Sequence, residues 1–181
     1  MPYRNDEWLG TGLRMADLKC HCADPLCKWK ELEELKHRRS VVFFRNVGLL
    51  LKEHGGRVKI NSAMRCPAHN LSVGGAPDSA HVHKVAIDLQ PDEPVYRLAL
   101  LAEASGFFSG ILVYPNSNFV HLDCHPSDRV VRGYKMGHDN HFLKYGKREG
   151  SGLVPFYEWN QDETAQPPDY INQARYRETT A

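Results

Sequence analysis

Two short stretches of alternating residues constrain this chain more than any other feature. In Val85-Ala86-Ile87-Asp88-Leu89-Gln90, the apolar Val85, Ile87 and Leu89 alternate with Ala86, Asp88 and Gln90. That is the period-2 signature of a β-strand. In Phe119-Val120-His121-Leu122-Asp123-Cys124, one face carries Phe119, His121 and Asp123, and the other Val120, Leu122 and Cys124. Each strand therefore presents an acid or an imidazole on the face opposite an apolar row. Burying such groups is costly unless they pair or hold a cation. His81 lies an odd number of residues from Asp88, so alternation cannot put it on the same strand face. It is expected on the loop that leads into the strand.

Two imidazoles and a carboxylate form a ligand set suited to a catalytic zinc ion. Three protein ligands leave a fourth coordination position open, as hydrolysis requires. The chain has 10 His among 181 residues, so a pair of them near an Asp gains weight only from the strand context. His81, Asp88 and His121 are the expected metal ligands, and a metallohydrolase is the expected class.

The stretch from Asn61 to His81, with Ser79-Ala80-His81, Ala86-Ile87-Asp88 and Phe119-Val120-His121-Leu122-Asp123, resembles the zinc D-alanyl-D-alanine carboxypeptidase family. That family includes D-Ala-D-Ala dipeptidases and phage endolysins and shares a fold with the hedgehog signalling domain. The resemblance covers about residues 57 to 125. The ending Phe-Val-His-Leu-Asp is similar to a branch often found in phage genomes. It implies an α+β fold, with a small antiparallel sheet and helices on one face, and a Zn2+ cofactor. The implied activity is hydrolysis of peptidoglycan stem peptides, as a carboxypeptidase or endolysin. One departure stands out: the family has Gly where this chain has Lys84, a position where Gly permits positive φ or close approach.

The resemblance also implies that Arg65 polarises the scissile carbonyl or binds a substrate carboxylate, tasks that suit its fork of donors. Asn70 and Ser79 are expected to orient substrate or ligands, or else to stabilise turns. Many relatives place a Glu three residues before the last zinc His. Here that position is Asn118, which cannot take a proton. Asp123, on the His121 face, is the expected general base; its alternative role is to orient a zinc ligand or pair with Arg65. His83 and His125 are spare imidazoles.

Cys20, Cys22 and Cys27 form a C-x-C-x4-C cluster. These thiols could hold a second, structural metal, with His21 or Cys66 as fourth ligand; otherwise they are reduced, partly buried thiols. Five Cys, an odd number, and an N-terminus without an apolar signal core argue against a disulfide framework. The same N-terminus predicts synthesis in the cytoplasm, with action at the bacterial cell wall. A formal charge of +1 gives no electrostatic ground for nucleic-acid binding, and no apolar run is long enough for membrane insertion.

Periodicity predicts a helix over 28–54 ended by Gly55-Gly56, a strand over 57–62, a long loop over 64–79, a helix over 93–105, and a hairpin over 110–124. Residues 1–27 read as a Cys-containing arm, 28–125 as the peptidase-like domain, and 126–181 as a polar extension. That extension wraps the domain or meets a partner, for which virion or tail proteins are the expected class. The rival reading is accordingly a virion or tail structural protein that keeps the peptidase fold, with or without catalysis. A non-catalytic zinc module is a third.

Overall fold

The computed structural model describes residues 13–31, 38–124, 129–136, 139–149 and 152–158. It opens with a short helix α1 (Met15–Leu18), whose Leu18 is fully buried, and a 3-10 turn at Lys28–Lys30. Helix α2 (Arg38–His54) buries Phe43, Phe44, Val47 and Leu50, an i, i+1, i+4, i+7 stripe. Gly55 ends it at φ +70°, donating its N–H to Leu51, as the left-handed cap position requires. The predicted start at Lys28 needs correction. Glu31 is extended (φ −90°, ψ 145°), and the Trp29 carbonyl accepts from Cys20 N. The segment folds back on the cysteines instead of propagating a helix.

Strands β1 (Val58–Ser62), β2 (Ala86–Pro91), β3 (Gly110–Tyr114) and β4 (Phe119–Asp123) form an antiparallel sheet in the order β1-β2-β4-β3. With the helices it makes the α+β fold expected from the sequence. The apolar rows Ile87, Leu89, Val120 and Leu122 are buried against Phe43, Phe44, Val47 and Leu50 of α2. Helix α4 (Tyr96–Ser105) adds Leu98 and Ala102 to this core and ends at Gly106, φ +65°.

The 64–79 loop is not structureless. It contains a six-residue helix α3 (Pro67–Ser72), begun by a Pro in its first turn and capped by the Cys66 side chain. Beyond β4, strands β5 (Arg129–Met136), β6 (Asp139–Glu149) and β7 (Gly152–Glu158) extend the sheet. β5 joins parallel to β3, and β6 and β7 follow antiparallel. The described part of the 126–181 extension is thus strand added to the sheet edge. Among the described residues, no helix is long and apolar enough to cross a membrane.

Candidate metal centre

Register builds the site. Asp88 on β2 lies directly opposite His121 on β4, with Ser62 of β1 and Leu112 of β3 completing the row. The next row is Ala86, Asp123 and Gly110. A Cβ at Gly110 would collide with the Asp123 carboxylate, so glycine there makes room for the acid. Both rows project from the face opposite the α2 core, as alternation predicts.

His81 arrives from the turn before β2. The Ser79 hydroxyl accepts from His81 N (3.3 Å), and the Ser79 carbonyl accepts from Val82 N and His83 N. The His81 ring is buried, with Nδ1 2.5 Å from the Ala63 carbonyl. That carbonyl only accepts, so Nδ1 carries the proton and the Nε2 lone pair turns inward. His81 Nε2 is 3.3 Å from Asp88 Oδ1, and His121 Nδ1 is 2.9 Å from the same oxygen. Donor atoms of His81, Asp88 and His121 lie within 4.8 Å of one another. Two nitrogens and an oxygen converging in this way fit a zinc or similar cation.

Charge is balanced around the trio. Arg65 donates from its NH2 group to Asp88 Oδ2 (2.5 Å) and from Nε to Ser62 Oγ (2.8 Å). On the far side of His121, Nε2 is 3.1 Å from Asp123 Oδ2, and Ser109 Oγ donates to Asp123 Oδ1 at 3.3 Å. Burial opposes the Asp88 charge, yet the His121 and His81 rings beside it hold its carboxyl below the usual range. Burial likewise lowers His81. For His121 burial again opposes charge, but Asp123 and Asp88 push it up to about 10.

The remaining sequence candidates sit at varied distance from this trio. Asn70 is buried within α3, donating to the Ala76 carbonyl (2.8 Å), and a Cβ at Gly75 would strike its amide; these contacts close the 64–79 loop. His83 lies on the surface beside Asp78, and His125 is outside the described residues. Asn118 is committed to the fold: its amide donates to the Pro91 and Glu93 carbonyls and accepts from Val95 N. Lys84 has φ 62°, so the loop keeps the left-handed geometry that a glycine would adopt freely. Its ammonium lies 5.4 Å from the centre of the Trp29 ring, a cation–π contact that offsets part of the strain.

Two contributors went unread in the sequence. The Ala63 carbonyl that fixes His81 is backbone, which no residue type reveals. Tyr114, half-buried and stacked on Phe119, has its phenol raised first by burial and then by the Asp88 charge. It shares the face of Leu112 and His121, so the alternation of β3 could have found it.

No curated protein matches the chain. A family model described as Peptidase M15 matches residues 17–123, a span that holds every member of the trio as well as Arg65 and Asp123. The chain belongs to the M15 family of metallopeptidases.

Proposed function

We propose that this chain is a zinc-dependent peptidase that hydrolyses peptidoglycan stem peptides, of carboxypeptidase or endolysin type and phage-related. The observation that carries the reading is the locked orientation of His81. With Nδ1 held by Ala63, its Nε2 faces Asp88 and His121, which is what a metal ligand needs and a packing histidine does not. When bound, zinc supplies a Lewis acid that polarises the scissile carbonyl and activates water.

The chain's own residues do the rest. Arg65, half-buried at the cleft and held by Ser62, is placed to stabilise charge developing on the carbonyl oxygen or to receive a substrate carboxylate. Tyr114, on the same face, offers a hydroxyl donor. Asp123 faces two roles. As general base it takes a proton from the attacking water. As partner of His121 it holds Nε2–H and turns Nδ1 toward the metal. The 3.1 Å contact to Nε2 favours the second.

A structural protein without catalysis is favoured by the 126–181 extension and by Lys84 in place of glycine. The left-handed loop kept at position 84 removes the second of these grounds and leaves the first. Mass spectrometry of muropeptides after digestion with the purified chain tests the activity. Shortened stem peptides, absent with His81→Ala, are expected. Unchanged murein from a zinc-loaded wild-type chain would refute hydrolysis of this substrate and favour a virion or tail role.

A further inference from the structure

A second set of ligands gathers where the N-terminal arm meets α3. Cys20, Cys22 and Cys27 come from the arm, and Cys66 caps α3. Their sulfurs all lie within 4.8 Å of one another. A tetrahedral zinc tetrathiolate, with Zn–S near 2.3 Å, has sulfur–sulfur edges of about 3.8 Å. Small side-chain adjustments therefore close the cluster on an ion.

The surroundings fit thiolates. Cys66 N donates to Cys20 Sγ, and His69 N donates to Cys66 Sγ, each at 3.4 Å. His69 Nδ1 lies 3.3 Å from Cys20 Sγ. Donors aimed at sulfur stabilise and orient metal-bound thiolate. Leu13 and Leu18 tie the arm to the main core, but the stretch between Cys20 and Cys27 is mostly exposed and has little hydrophobic packing to hold its shape. Cys20, Cys27 and Cys66 form a buried cluster, against which Cys22 and Trp29 pack among the described residues, while Leu26 is 85% exposed. Segments with so small a core depend on a staple. The four cluster cysteines form no disulfide, so none supplies it.

We propose that Cys20, Cys22, Cys27 and Cys66 bind a structural zinc ion, closed to substrate, that clamps the arm to the start of α3. Binding converts the four thiols to thiolates and releases their protons to solvent. Four soft ligands with no open position suit zinc and exclude a hydrolytic role. Cys66 directly follows Arg65, so the clamp ends one residue from the first metal centre. The proposal is independent of the peptidase reading.

Cobalt substitution of the full-length His81→Ala chain tests it, because that variant lacks the first centre. About one cobalt per chain is expected, with the intense sulfur-to-cobalt charge-transfer band of a tetrathiolate. Adding Cys22→Ser should abolish the band. Should that variant fail to fold, thiol counting on the His81→Ala chain decides instead. With zinc present, only Cys124 of the five cysteines should react quickly, and a chelator should expose the rest. A folded chain without the band, or with all five thiols reactive in excess zinc, would overturn the clamp.

Discussion

Lys84 holds φ 62°, a conformation that costs a residue with a side chain about 1–2 kcal/mol. Glycine would relieve that strain but forfeit the Trp29 contact, about 0.5–1 kcal/mol, and add unfolded-state entropy of similar size. Lys84→Gly should therefore change stability by less than about 1 kcal/mol. Lys84→Val, with a branched Cβ and no ammonium, should lose about 2 kcal/mol or more; denaturant melts of both variants measure this. At Asp123 the orienting and general-base roles separate cleanly. If it orients His121, Asp123→Asn should weaken zinc binding about 10–100-fold. Undiminished affinity with a rate loss of about 10²–10⁴-fold would instead make it the base. His121 adds a pH dependence. Burial opposes its charge, but Asp123 and Asp88 push it up to about 10, so below that value a proton competes with the cation. Zinc affinity, measured by chelator competition, should rise from acid through neutral to alkaline pH; a flat profile would show that His121 is not a ligand.

At the scale of elements, the β3–β4 ladder and the turn between its strands do most to set the site. Gly110 stands beside Asp123 in register, and no Cβ fits there. Gly110→Ala should push the carboxylate off His121, costing about 1–3 kcal/mol by overpacking and weakening zinc binding in the same variant. Wild-type affinity in a folded Gly110→Ala chain would show that Asp123 is not needed for His121. The adjoining turn explains why the usual glutamate is absent. Asn118 sits at φ 48° and joins Pro91, Glu93 and Val95 in one hydrogen-bonded knot that starts α4. A Glu side chain could not make the same three bonds. The alternating pattern identified β2 and β4 and the face of each residue. It could not place the start of α2, because Glu31 is held extended by a segment that turns back toward the cysteines rather than by local propensity.

Across the whole molecule, the four-stranded sheet carries its core on one face and its ionisable groups on the other. His81, Asp88 and His121 come from separate segments of the chain, so a cation held by all three should stabilise the fold as a whole. With free zinc at about 1,000 times its dissociation constant, linkage gives about 4 kcal/mol, or roughly 10 °C in Tm for a chain of this size. Thermal melts with and without chelator, repeated on His81→Ala, should show a drop in the wild type. A smaller drop in the variant reports the share of the first centre. Equal drops in both would remove zinc from that centre.

The residues themselves determined which side chains share a face. Alternation in 85–90 and 119–124, glycines at both helix ends, and the motif order from Ser79 to Asp123 were enough for the α+β class and for the candidate trio that the fold brings together. Those signals are local, and a strand's period needs no partner to be read. Tertiary structure alone decided the rest. The Ala63 carbonyl chooses the His81 tautomer, and strand register sets Gly110 against Asp123. Cys66, rather than His21, joins the three arm cysteines. Each of these depends on chain segments brought together from 13 to 46 residues apart, or on backbone atoms common to every residue type. No local pattern encodes such meetings, because packing of the whole chain fixes which distant segments touch.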